Sequence, residues 1–250
     1  MKKPIAFIFC LLLLLGCENE SKLTFENLQL ENEPCPDCPK INIAIPKVLD
    51  ETRIAKAVNT ALREEIIAVL RFEEEEEEIN TIQKAMSSFA RGNHELGQML
   101  GQEVVPWEAN FEGKISYEDA TLLCIRLKTY SFLGGAHGYN AVTLLNFDKQ
   151  KGNEIEGHQL FKDYEGFREF AEEKFRIQEN IPPNSNINDT GFMFLGNSFD
   201  LPQQIGLVKE GVLLQYNHYE VATHDENIVL IIPFKEAKPF LKNSYQKTIL

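Results

Sequence analysis

Hydrophobic and polar positions alternate from Thr121 to Thr129, with Leu123, Ile125 and Leu127 on one side and Arg126 and Lys128 on the other. This is the period of a half-buried strand. Ala141 to Phe147 predicts a second strand, closed by the polar, turn-like Asp148-Lys149-Gln150-Lys151-Gly152. Between the two, Tyr130 to Asn140 holds Gly134, Gly135 and Gly138 around Ala136 and His137. Glycines so close together permit positive φ and close backbone approach, and predict a hinge where the chain changes direction. Elsewhere the period lengthens. Ile54, Val58, Ala61, Leu62, Ile66 and Val69 recur at helical spacing and predict an amphipathic helix over 50–72, which Asp50 or Thr52 can cap. Helical spacing resumes at Ile79, Ile82, Met86 and Phe89, and Gly92 to Pro106 reads as loop with a short helix.

Trp107, the only tryptophan, is expected in the core or as an edge cover ahead of a strand at Phe111–Tyr117. After the hinge, Asp163 caps a helix with Tyr164, Phe167, Phe170, Ala171 and Phe175 on its inner face, ending near Asn180. An exposed connection over 181–189 leads to three strand candidates, 192–195, 212–221 and 228–232, and to a short helix over 235–242. The predicted fold class is α+β: mainly antiparallel sheets with amphipathic helices packed on them, in two linked subdomains, 41–150 and 151–242, followed by a frayed tail, 243–250. A chain of 250 residues that is 43% hydrophobic has enough apolar material for such cores.

The N-terminus gives an address. Lys2 and Lys3 precede an apolar stretch from Ile5 to Leu15, which is too short for a bilayer-spanning helix of about 20 residues. Leu14-Leu15-Gly16-Cys17 resembles the lipobox of bacterial lipoproteins, so residues 1–16 are expected to be a signal peptide and Cys17 the lipidated first residue of the mature protein. Acylated Cys17 would hold the chain on a membrane. Glu18 rather than aspartate follows it, pointing to the outer membrane of a Gram-negative envelope. Residues 17–40, with Pro34, Pro36 and Pro39, read as the lipidated cysteine and a tether.

Within that stretch Cys35 and Cys38 bracket Pro36-Asp37, and outside the cytoplasm they are expected to form a local disulfide or to bridge to a neighbour. Redox catalysis is the alternative, but a strand-like segment follows them where an active thiol needs a helix N-terminus. Cys124 is expected as a free buried thiol. The six acids Glu73 to Glu78 read as a solvated face or a break, without the alternating oxygen ligands of a calcium loop. A formal charge of −13 disfavours nucleic acid as a partner and is compatible with a cationic one. His137 could serve as a general base if Asp148 approached it across paired strands; otherwise it fixes the glycine turn. The histidines lack metal-ligand spacing, so no metal, cofactor or catalytic set is assigned.

Tyr130 to Asn140 with its Gly-Gly-Ala-His-Gly centre, Asn146-Phe147-Asp148, Leu160-Phe161, Tyr219-Glu220-Val221-Ala222 and Ile231-Ile232-Pro233-Phe234 follow one another at family-like separations. Together they resemble the paired extracytoplasmic domains of unknown function of Bacteroidetes lipoproteins. The module is similar to the outer portion of the anti-sigma factor RsiV and to the non-catalytic part of the deacetylase PdaC. The resemblance covers about residues 40–242 and implies helices on mainly antiparallel sheet. The tether, the acidic balance and the lack of assembled chemistry point to a binding role in the cell envelope, towards a protein or a wall polymer such as peptidoglycan, and the resemblance implies a cationic, lysozyme-like protein as one specific partner. Gly134, Gly135, His137, Asp148 and Tyr219 are the candidate binding residues. The alternative is an envelope hydrolase or carbohydrate-modifying enzyme using His137 with Asp148 or Tyr219. Thr223 to Asn227 departs from the family pattern.

Overall fold

The computed structural model describes residues 22–33, 38–72, 78–101, 105–222 and 228–246. The expected signal peptide, Cys17, Cys35, most of the acidic run and the segment Thr223–Asn227 lie outside the described residues.

One mixed six-stranded sheet organises the chain. β1 (Phe25–Glu31) pairs antiparallel with β2 (Lys40–Val48), which runs parallel to β3 (Glu108–Glu118). β4 (Leu122–Phe132), β5 (Tyr139–Asp148) and β6 (Asn153–Ile155) then extend it antiparallel. A parallel pair needs a crossover, and here two helices supply it: α1 (Arg53–Leu70) and α2 (Ile82–Leu100). Their apolar faces lie on one side of the sheet, where Val58, Leu62, Ile66 and Phe89 meet Ile43, Phe111, Ile125, Leu127 and Phe147. Thr52 caps α1 by accepting a hydrogen bond from Ala55 N, while Asp50 accepts one from Thr24 N.

Leu122 and Cys124 of β4 point to the opposite face, into a second core built by the C-terminal half. That half comprises α3 (Tyr164–Gln178), an antiparallel sheet of β7 (Gln204–Val208), β8 (Gly211–Tyr216) and β9 (Ile228–Pro233), and the single turn α4 (Phe234–Ala237). Phe175 of α3 is its centre, with Phe192, Phe194, Phe199 and Tyr216 at ring-centroid distances of 5.1, 5.5, 5.3 and 5.7 Å. β7 fits tightly against β5. A Cβ on Gly206 would lie 3.2 Å from Leu144 Cβ, and Asn146 Nδ2 donates to Ile205 O at 2.8 Å. The six-stranded sheet therefore carries a core on each face, and the expected boundary at residue 150 falls in the β5–β6 turn.

Several expectations are corrected. Residues 25–31, read as part of the tether, form the edge strand β1, with Phe25, Leu28 and Leu30 packed on the helix-side core. Gly92 does not open a loop: α2 continues to Leu100, because the glycine makes room for the Phe72 ring, whose Cγ would be 2.4 Å from an added Cβ. The segment 192–195 makes only an isolated bridge to Ala222, β8 ends at Tyr216 rather than 221, and β7 was not anticipated. Tyr245 of the expected frayed tail is 2% exposed and donates to Asp148 Oδ2 at 2.9 Å. Among the described residues no helix is long and apolar enough to cross a membrane.

A chain that starts at residue 40 would move the sheet edge to β2 and leave Ile43 and Ile45 without the cover of β1, an invitation to edge pairing. It is expected to associate in light scattering at concentrations where a chain starting at residue 22 does not. Equal behaviour of the two would show β1 to be dispensable.

Candidate functional site

The two ends of the six-stranded sheet differ. At the base end, β1 begins and β5 finishes, with Val48, Leu122 and Asp148 in register with their neighbours. At the far end lies the β4–β5 hairpin loop, residues 133–138. The C-terminal core covers only the base half of the sheet's second face. Beyond it the face is open and forms a groove of about 550 Å³ across β2, β3, β4 and β5, lined by Asn42, Asn110, Glu112, Arg126, Lys128, Tyr130 and Asn140 among others.

Strand alternation puts these groups on one side. Arg126, Lys128 and Tyr130 are the outward residues of β4, two apart, while Ile125 and Leu127 turn to the helix-side core. The Arg126 guanidinium donates from Nη2 to Gln215 Oε1 at 3.0 Å, so β8 fixes its position, and its buried Nε has no hydrogen-bond partner. Lys128 is exposed, and among the described residues neither cation forms an ion pair. Glu112, the one carboxylate among the described residues that line the groove, is held below the usual carboxylate range by the Lys114 ammonium in contact with it, with smaller pulls from Lys128 and Arg126. Asn42 Nδ2 donates to Asn110 Oδ1 at 2.8 Å, and Asn110 Nδ2 to Glu108 Oε1 at 2.7 Å. Tyr130 is held by the hairpin, since a Cβ on Gly138 would lie 2.3 Å from its ring. A locally cationic, amide-rich surface results on a chain of net charge −13.

The hairpin loop carries three of the sequence candidates. Gly134 has φ of +77° and packs beside Trp107, while Gly135 and His137 are exposed, with His137 Nδ1 3.2 Å from the Gly138 carbonyl. Tyr219 belongs to the same end. Its loop is pinned to β5 by Asn217, which accepts from Val142 N and donates to Val142 O, both at 2.9 Å. The Tyr219 backbone has φ of +60°, uncommon for an aromatic residue, and its half-exposed ring meets His218, which in turn lies edge-on to Tyr139.

Asp148 does not join them. It lies at the other end of β5 from Tyr139, nine residues or about 30 Å away. Pairing of the two strands therefore separates His137 from Asp148 instead of bringing them together. Asp148 is a structural carboxylate. Burial opposes its charge, but the Lys151 backbone N–H, the Lys151 ammonium at 3.0 Å and the Tyr245 hydroxyl outweigh that and pull its pKa below the ordinary value. Cys38 is disulfide-bonded, to a partner outside the described residues. Cys124 is free and buried, its thiol pushed up to about 12 chiefly by desolvation, and it donates to Asn146 Oδ1 at 3.0 Å. Among the described residues no group of three or more His, Cys, Asp or Glu could hold a metal ion. The groove itself was missed by sequence reading. Asn42, Asn110, Arg126 and Asn140 come from four strands, and the only hint was the basic outer side of the 121–129 alternation.

Residues 35–140 match the family model described as Deacetylase PdaC. This stretch is similar to a PdaC-type domain. The PdaC-type segment runs from just before β2 to the start of β5, so it includes the hairpin loop and most of the groove and leaves out Asp148 and Tyr219. The whole fold is similar to a DUF3298-family protein of Bacteroides fragilis NCTC 9343, with a TM-score of 0.69, 17% identity, and coverage of 89% of this chain and 94% of that one. It is similar also to a DUF3298-family protein of Pseudomonas aeruginosa PAO1, with a TM-score of 0.64, 19% identity, and coverage of 90% and 97%. At these identities the likeness is one of fold. No curated protein matches the chain.

Two outcomes check the electrostatics. A carboxylate with a lowered folded-state pKa contributes stability above its unfolded value near 3.9, and loses it as pH falls through the folded value. Asp148→Asn is therefore expected to cost about 1–3 kcal/mol at pH 7 in urea unfolding, with the gap to the parent shrinking below about pH 4. An unchanged gap at pH 3 would mean that the charge contributes nothing. Cys124 is expected to resist maleimide in the native protein and to react at once in denaturant. Fast native labelling would contradict its burial.

Proposed function

We propose that this chain is a lipid-anchored binding module of the cell envelope whose ligand site is the open groove with the adjoining hairpin loop. The observation that carries the reading is the pairing of Arg126, set in place by Gln215, with the exposed Lys128, neither of them in an ion pair among the described residues, on an otherwise uncovered sheet face. These are recognition groups: two cationic donors, one of them set by β8, with amides beside them and, among the described residues, no neighbouring nucleophile and base aimed at a common point.

The geometry of attachment supports it. From Cys17 to Leu23 is six residues, at most about 20 Å of chain. Leu23 N donates to Glu118 Oε1 at 3.2 Å and Thr24 N to Asp50 Oδ2 at 2.7 Å, both at the base end. An acylated Cys17 would thus keep the base near the bilayer and direct the groove and hairpin away from it, towards the envelope space. The tether is far shorter than residues 17–40.

Local charge ranks the partners. A cationic, lysozyme-like protein fits the overall acidity but not the groove, and would have to dock elsewhere on the surface. An anionic or polar envelope polymer fits the groove. Deacetylation, the activity in the name of the matching family, and hydrolysis through His137 are not proposed: His137 stands exposed on a loop, about 30 Å from its candidate orienter.

The test uses the full chain. Retention on envelope material at low salt is expected to fall at least about tenfold in Lys128→Glu and to weaken as salt rises, because exposed charges are screened within about 10 Å at 0.1 M. Cys17→Ser should leave this retention intact and move the protein out of the membrane fraction. Retention indifferent to Lys128→Glu would remove the groove from the account, and a membrane-bound Cys17→Ser protein would remove the anchor.

A further inference from the structure

The groove's chemistry narrows its ligand. We infer that it takes an acidic oligosaccharide, a chain of hydroxyl-bearing sugars with carboxylates on neighbouring units, an inference that rests on the groove being the ligand site. Arg126 and Lys128 stand two residues apart on one face of β4, about 7 Å along the strand, so two carboxylates on one short ligand can each meet a cation. Only Nη2 of the guanidinium is engaged, by Gln215, which leaves its other outer nitrogen for a carboxylate in a position already set by β8. The Lys128 ammonium has no partner to give up among the described residues.

The surroundings favour a sugar over a peptide. Asn42 and Asn110 are bonded to each other, leaving Asn42 Oδ1 as an open acceptor, and the Asn140 side chain makes no hydrogen bond among the described residues. Amides of this kind both donate and accept, as hydroxyls do. Tyr130, locked under Gly138, adds a ring and a hydroxyl at the groove's end. A peptide that docks on a sheet uses a free edge or apolar pockets for its side chains. Here β2, β3 and β4 are paired on both sides beneath the groove, and the outer edge of β5, which β6 joins only at 146–148, is occupied at Val142 and Leu144 by the Asn217 and Gln204 side chains. The lining is polar save for Phe111, Ala141 and Val142, of which Phe111 belongs to the core on the other face.

Three probes separate charge from hydroxyls: tetragalacturonate, its full methyl ester, and tetraglutamate. Calorimetry on the detergent-solubilised full chain is expected to show tetragalacturonate binding at least about tenfold tighter than either of the others. Lys128→Gln and Asn42→Ala alter exposed residues and should fold. The first is expected to weaken tetragalacturonate at least about fivefold, and the second to weaken it while leaving tetraglutamate unchanged. Equal binding of the methyl ester would overturn the need for carboxylates. Tetraglutamate binding as tightly would assign the groove to acidic peptides instead. Failure of all three probes, with envelope retention still sensitive to Lys128→Glu, would overturn the sugar class and leave the groove as a site for something else.

Discussion

The fold depends on one strand serving two cores. β4 alternates Leu123, Ile125 and Leu127 towards the helices with Leu122 and Cys124 towards the C-terminal half, so its base half is apolar on both sides. Such a strand is stable only when both faces are covered. The helices cover one along its length. The C-terminal sheet covers the other as far as Arg126, where Gln215 meets the guanidinium, and stops. Past that point the same alternation presents Lys128 and Tyr130 to solvent, and the groove is what the second layer leaves open.

Much of this was legible in the sequence because it is local. The strands flanking the glycine loop, the helix from Arg53 and the aromatic face of α3 all follow from periodicity and caps within a few residues. What failed was set by distant partners. Phe25, Leu28 and Leu30 look too sparse to bury until β2 lies beside them, so a strand passed for a tether. Gly92 looked like a break because Phe72, twenty residues earlier, was not visible as its occupant. Tyr245 looked frayed without Asp148 to receive its hydroxyl.

The candidate site divides in the same way. The glycine loop and Tyr219 do come to one end of the molecule, through Asn217 on Val142 and His218 on Tyr139. Asp148 was grouped with His137 on the expectation that pairing of the two strands would bring it near, yet the extended strand between them carries residues far apart. The groove needed the sheet order itself, because its amides and cations are scattered from Asn42 to Asn140 and meet only when β2 lies parallel to β3. Its local positive charge was likewise hidden by the acidity of the whole chain.

The most direct check of this division of β4 is hydrogen exchange by mass spectrometry on the full chain, with and without tetragalacturonate. The account predicts that 122–125 exchange slowest and are indifferent to ligand, while 126–130 and 140–142 slow when it is added. Ligand protection confined to the base end around 148–152, or none in the far half of β4, would contradict it.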